Sequence, residues 1–175
     1  SNATLRKDAS QVSLRWLGQA GFDICGAGAR IVIDAYLSDF LARKYAGQQF
    51  PHTRMIPPPV TAEELTGVDA VLCTHAHSDH MDPDTLPVLA RVNPACRFVV
   101  PRAVLHTALD RGVPSQRAIA MNAGETVRLT GDVTITALPS AHETTETDAE
   151  GQHRFLGFVI EIGSLTIYHS GDCVM

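Results

Sequence analysis

The stretch Ala70-Val71-Leu72-Cys73-Thr74-His75-Ala76-His77-Ser78-Asp79-His80 decides how this chain reads. Its first four residues are wholly apolar, and so short an apolar run predicts a buried strand. The strand empties directly into His75-x-His77-x-Asp79-His80, four potential metal ligands within six residues. Imidazole suits zinc and other borderline metals, and carboxylate adds charge. In an extended segment residues two apart point the same way, so His75, His77 and Asp79 project together; the turn after Asp79 brings His80 beside them. One metal would take His75 and His77, and a second, offset metal Asp79 and His80. Two metals about 4 Å apart clamp both sides of a displacement. A polar loop with chance histidines is the competing reading. Of eight histidines in 175 residues, three fall in these six positions, which is not a chance pattern.

On the C-terminal side, Asp82 fits an N-cap and Pro83 the first position of a helix running towards Val92, which Pro87 should limit or bend. Phe98-Val99-Val100 reads as another buried strand. Pro101 to Arg111 reads as an amphipathic helix, with Val104, Leu105, Ala108 and Leu109 on one side, His106 partly buried and Gly112 as its stop. Strand-like runs follow at 118–121, 126–129, 133–138, 155–162 and 165–168. Two of them lead into further ligand types. His142 lies in Pro139-Ser140-Ala141-His142-Glu143 and fits a third ligand for the first metal. Asp172 closes His169-Ser170-Gly171-Asp172 and is placed to bridge both. His153 falls in a polar run read as a solvated hairpin loop.

On the N-terminal side, Val12 to Leu17, Phe22 to Cys25 and Arg30 to Ile33 form an antiparallel meander punctuated by glycines. Residues 36–60 break the pattern with Gly47, Pro51 and Pro57-Pro58-Pro59. This segment predicts a lid or substrate loop, irregular in its second half. Within it His52 and Arg54 are candidate substrate contacts, able to pair with a phosphate or carboxylate. Thr61-Ala62-Glu63-Glu64 has capping-box form and predicts a short helix. Together the elements predict an α/β fold: a layered sandwich with a mixed sheet and its loops gathered at one edge.

Composition narrows the function. Apolar residues make up 45% and charged residues 19%, an ordinary globular balance that excludes a disordered chain. The net charge of -5 disfavours a nucleic-acid partner. No apolar stretch reaches the roughly 18 residues needed to span a bilayer, so no membrane partner is expected. The four cysteines form no CxxC pair. Three lie in or beside apolar runs and read as buried thiols of a reducing, cytoplasmic compartment; Cys173 differs in following a candidate ligand. Ser1-Asn2-Ala3 reads as a tag remnant, leaving residues 4–175 as one domain.

These motifs resemble the metallo-β-lactamase superfamily and, within it, the hydrolases grouped with L-ascorbate-6-phosphate lactonase. The resemblance covers nearly the whole chain after the tag. It rests on Trp16-Leu17-Gly18-Gln19-Ala20-Gly21-Phe22, Asp34, Arg54 with Pro57-Pro58-Pro59, Thr74 to Asp82, His142, and Tyr168-His169-Ser170-Gly171-Asp172. It implies an αββα sandwich with two divalent metals at one edge, zinc first, with manganese or iron admitted by the mixed donor set. It assigns His75, His77 and His142 to one metal and Asp79, His80 and Asp172 to the other. It adds Asp34 as a support of the metal loop, and His169 stands as a second support beside Asp172.

The family pattern also has a histidine beyond the bridging Asp. This chain ends at Met175, so the expectation is a sandwich lacking its C-terminal portion, a fragment or one completed by a second chain. An exposed sheet face would then favour association into a homo-oligomer. For the intact enzyme the resemblance implies hydroxide attack on a small-molecule ester, lactone or phosphorylated sugar, with Asp79 orienting the nucleophile and taking its proton. The alternatives are a nuclease or phosphodiesterase of the same superfamily, and an incomplete site binding one metal or none. No Gly-x-Ser-x-Gly elbow supports a serine nucleophile.

Overall fold

The computed structural model describes residues 11–173. The tag remnant at residues 1–3, residues 4–10 and the last two residues of the predicted domain lie outside them.

The glycine-punctuated start folds as the predicted meander: β1 (Ser13–Gly18), β2 (Gly21–Gly26) and β3 (Ala29–Ile33) pair antiparallel in sequence order. The apolar run before the histidines is β4 (Ala70–Leu72), parallel to β3. β5 (Arg97–Pro101) and β6 (Ala118–Met121) extend the same sheet in parallel. The result is a six-stranded mixed sheet in the order β1-β2-β3-β4-β5-β6. A second sheet of four antiparallel strands holds β7 (Thr126–Arg128), β8 (Val133–Pro139), β9 (Leu156–Ile162) and β10 (Leu165–His169), in the order β10-β9-β8-β7.

The two-residue period of the central strands divides the core in two. Ile31, Ile33, Ala70, Leu72 and Val99 face the second sheet and pack with Val133, Ile135, Phe158 and Ile160. Their neighbours Val32, Val71, Phe98 and Val100 face the other way and pack with Leu86, Leu89, Val104 and Ala108. These last four belong to α2 (Thr85–Val92), α3 (Leu105–Asp110) and the short 3-10 turn between β5 and α3. Among the described residues the layers are therefore helix, sheet, sheet. The outer face of the second sheet is mixed: Thr134, Thr136, Glu161 and Thr166 stand beside Val159 and Tyr168.

Local readings are corrected in three places. The second helix begins at Thr85 rather than Pro83. Asp82 still serves its entrance, accepting from the Asp84 N–H (3.0 Å) and the Thr85 hydroxyl (2.5 Å). Pro87 therefore sits in the first turn, where its missing N–H has no helical partner to lose, and no bend is required. The capping box at Thr61 forms, with the Thr61 N–H on Glu64 Oε2 at 2.8 Å, but closes only a turn before Gly67 (φ +69°) leads the chain away. His106 is exposed, not partly buried, because Val104 and Ala108 carry the inner side of α3 and Leu109 faces out.

The 36–60 segment is fastened at its first half. Buried Tyr36 accepts the Leu41 N–H through its hydroxyl (3.0 Å) at the start of α1 (Phe40–Lys44). Asp82 accepts from the Ser38 N–H and hydroxyl (3.2 and 2.9 Å), and Arg43 pairs with Asp84.

Candidate metal centre

Every candidate ligand follows the end of a strand at one edge of the sandwich. β4 delivers His75, His77, Asp79 and His80; β8 delivers His142; β10 delivers Asp172. The sheets are joined at this edge by the Leu156 N–H, which donates to Thr74 O at 2.9 Å. Ligand atoms of His75, His77 and Asp172 all lie within 4.8 Å of one another. Asp172 Oδ2 stands 3.2 Å from His142 Nε2 and 4.0 Å from His80 Nε2, and His80 Nε2 is 3.9 Å from Asp79 Oδ2. Asp172 thus occupies the middle of the cluster, between a histidine group and an Asp79–His80 group.

A network beneath the cluster sets the ring orientations. Asp34, wholly buried, accepts from the Thr74 N–H through Oδ1 (2.8 Å) and from the Thr74 hydroxyl through Oδ2 (2.7 Å). The hydroxyl proton being committed there, Thr74 Oγ1 is left to accept from His75 Nδ1 (3.0 Å). Asp34 Oδ2 also accepts a hydrogen bond from His80 Nδ1 at 2.8 Å. This bonding assigns protons to both Nδ1 atoms and leaves both Nε2 lone pairs for the site. His75 Nε2 is buried and has no hydrogen-bond partner among the described residues. An orphaned buried acceptor is costly unless something else binds it, and a divalent cation fits this donor set.

Burial pushes the His75 pKa down from 6.5 to about 2, with His80, His77 and His142 adding to the fall. His77 is lowered by the same desolvation and by His142. Desolvation also opposes charging of His80, yet its bond to Asp34, with Asp79 and Asp172 nearby, carries it above its ordinary value. The rings of His75 and His77 are therefore held neutral, the form that binds metal.

The HSGD turn is tied down separately. His169 Nε2 meets Ala20 O at 2.7 Å while its Nδ1 accepts the Gly171 N–H at 3.1 Å. Ser140, just after β8, donates its hydroxyl to Ser170 O at 2.7 Å. Gly171 (φ +68°) lies against Thr74, where a Cβ would come within 3.0 Å of the Thr74 side chain.

A cavity of about 500 Å³ opens over the cluster, lined by His77, Asp79, His142 and Asp172 and, from the 36–60 segment, by Lys44 and His52. Arg54 points elsewhere: its Nη1 donates to Tyr36 O at 2.7 Å and its guanidinium lies 4.7 Å over the Tyr36 ring. His153 is held on Asn122, outside the cluster. Cys25, Cys73 and Cys96 are buried, Cys173 is exposed, and burial drives the Cys73 thiol well up.

Sequence reasoning missed four contributors. Thr74 relays Asp34 to His75. Phe155 stacks on His75 at 4.9 Å. Arg111 braces the metal loop by donating to Ala76 O and Met81 O at 2.6 and 2.8 Å. Lys44 reaches the cavity from α1. Only Thr74, next to the motif, left a local signal.

Residues 29–175 match the family described as the beta-lactamase superfamily domain. The chain belongs to the metallo-β-lactamase superfamily. It is 33% identical over 159 residues to a UPF0173 metal-dependent hydrolase of Caldivirga maquilingensis, covering 91% of this chain and 59% of that protein. The superfamily fold is shared with an isothiocyanate hydrolase from Delia radicum gut bacteria (TM-score 0.68, 24% identity, 93% of this chain and 63% of that one). It is also shared with CmlA, a diiron β-hydroxylase from Streptomyces venezuelae (TM-score 0.67, 23% identity, 93% and 30%). The chain thus spans about three fifths of the length of the metal-dependent hydrolase it matches. Membership of the superfamily implies divalent metal. Among the described residues no helix is long and apolar enough to cross a membrane.

Proposed function

We propose that this chain carries the metal centre of a hydrolase acting on a small-molecule ester, lactone or phosphorylated sugar. His75, His77 and His142 would hold one divalent ion, Asp79 and His80 a second, and Asp172 would bridge them. The observation that carries this reading is the buried Nε2 of His75, without a hydrogen-bond partner among the described residues, beside His77 and Asp172. Divalent metal in such a site polarises the electrophile and lowers the pKa of bound water towards neutrality. Zinc suits the nitrogen-rich donor set; the carboxylates also admit manganese or iron.

The chain's own groups supply the rest. Asp79, part-exposed at the cavity wall, orients the attacking water and takes its proton. Asp34 and Thr74 hold the rings of His75 and His80 against rotation. Lys44 adds positive charge at the mouth for an anionic substrate group, and His52 stands beside it in the lining. The named hydrolase from Caldivirga maquilingensis supports the reaction class.

The test is turnover by zinc-loaded and manganese-loaded protein of a lactone and ester panel against a phosphodiester panel. Hydrolysis of lactones or esters, abolished in His75→Gln, is the expected result. Metal-loaded protein that turns over phosphodiesters alone overturns the substrate class; turnover of neither panel overturns the hydrolase reading.

A further inference from the structure

Arg111 follows α3 and lines the cavity over the metal cluster, as does Lys44 from the end of α1. It is half-buried, whereas Lys44 is exposed. Arg15, Arg30 and Arg102 each lie against a carboxylate. Arg111 forms no ion pair among the described residues; both groups it bonds are backbone carbonyls. Burial opposes its charge, offset in part by Cys73 and Asp82. A partly desolvated cation without a paired carboxylate favours an incoming anion.

The bonding leaves one edge of the guanidinium open. Ala76 O at 2.6 Å and Met81 O at 2.8 Å both accept from Nη1. Nη1 carries two hydrogens, so it is spent. Ala76 lies between His75 and His77, and Met81 directly follows His80, so these bonds fix the guanidinium against the metal loop. Nε and Nη2 have no hydrogen-bond partner among the described residues, and neither is sealed from solvent. These two nitrogens form the side edge of a guanidinium. Their parallel N–H groups match the two oxygens of a carboxylate or two oxygens of a phosphate.

We propose that Arg111 is the specificity-determining residue of this cavity, its Nε–Nη2 edge gripping a carboxylate or phosphate group carried by the substrate. The substrate is then an ester or lactone that bears a negative charge apart from the bond that breaks. Lys44 adds charge but no matching geometry, because an exposed ammonium on a flexible stem is a point charge. The term substrate rests on the hydrolase reading; capture of an oxyanion by Arg111 does not.

The experiment uses zinc-loaded protein labelled with heavy nitrogen in its arginines and follows the Arg111 Nε–H signal by NMR, assigned through its side-chain connectivity. Glutarate and inorganic phosphate are titrated separately, with neutral dimethyl glutarate beside them. The expected result is a saturable shift of the Arg111 signal with glutarate or with phosphate, and none with dimethyl glutarate; the anion that acts names the group. Calorimetry should give a Kd for that anion weaker by about tenfold or more in Arg111→Lys, which keeps the charge and loses the edge. An Arg111 signal that neither anion moves overturns the proposal. So does a Kd unchanged in Arg111→Lys, as an anion held by the metal alone would give. The signal is read on the parent protein, so it decides the matter even where the variant folds poorly. Should the signal shift as described while no ester is cleaved, the oxyanion site stands and the hydrolase reading falls. Cleavage of esters with an unmoved signal gives the reverse.

Discussion

Asp34 Oδ2 and His80 Nδ1 lie 2.8 Å apart, and the same oxygen holds the Thr74 hydroxyl at 2.7 Å. One buried carboxylate therefore fixes two candidate ligand rings, His80 directly and His75 through Thr74. Asp34 sits at φ +45°, in the left-handed region that Asn tolerates well. Asp34→Asn thus removes charge and acceptor capacity with little change in backbone strain. We predict a 10- to 100-fold loss of metal affinity, the usual scale for a support behind a ligand, read by competition with a chromogenic chelator. Unchanged affinity would show that the rings are oriented by packing alone.

Gly171 gives a second handle on the same atoms. Alanine there would be strained at φ +68° and would push on Thr74. Gly171→Ala should lower stability by about 1–3 kcal/mol and weaken metal binding, because Thr74 Oγ1 and Asp172 are displaced together. Calorimetric melting with and without zinc checks both effects.

The metal-free protein should lose stability in acid partly through His75. Its folded pKa is pushed down to about 2 from an unfolded value of 6.5. Between those values the unfolded chain holds a proton that the folded chain refuses. Stability therefore falls as pH drops through this window, by up to about 1.4 kcal/mol per pH unit. His80 acts in the opposite sense: its raised pKa contributes stability below its unfolded value that is lost as pH rises through the folded one. His75→Gln should flatten the slope between pH 6.5 and 5, above most carboxylate titration. Denaturant midpoints across that range decide it; parallel slopes in both proteins would contradict the assignment.

Arg54 was read in the sequence as an anion contact, and its bonds point to a brace. Its guanidinium is engaged by Tyr36 O and the Tyr36 ring, with Gly18 close against it. Arg54→Ala should raise the rate of proteolytic cleavage within residues 46–57 several-fold while metal content stays constant. An equal cleavage rate in both proteins would remove the brace.

The legibility of this site tracks sequence distance. His75, His77, Asp79 and His80 could be read because a buried strand aims them, and the strand is next to them in the chain. His142 and Asp172 could be read because each follows an apolar run. The middle strands were legible in strand runs alternating with helical ones, and the N-terminal antiparallel meander in strand runs parted by glycines. Other features depend on the folded sheet. The Asp34–Thr74 pair spans 40 positions, and nothing local distinguishes a supporting carboxylate from a strand-end acid. The Phe155 stack, the Arg111 brace and the turn of Arg54 onto a backbone carbonyl are likewise tertiary contacts. The start of α2 slipped two residues because Asp82 caps it through a preliminary turn that also engages Ser38.

The central claim is that the buried Nε2 of His75 exists for a metal. Elemental analysis of protein purified without chelator, run beside His75→Gln with circular dichroism to verify folding, tests it most directly. The account predicts stoichiometric divalent metal in the parent protein and its loss from the folded variant. Equal metal content in the two, or a folded parent that retains none when zinc is supplied, would contradict it.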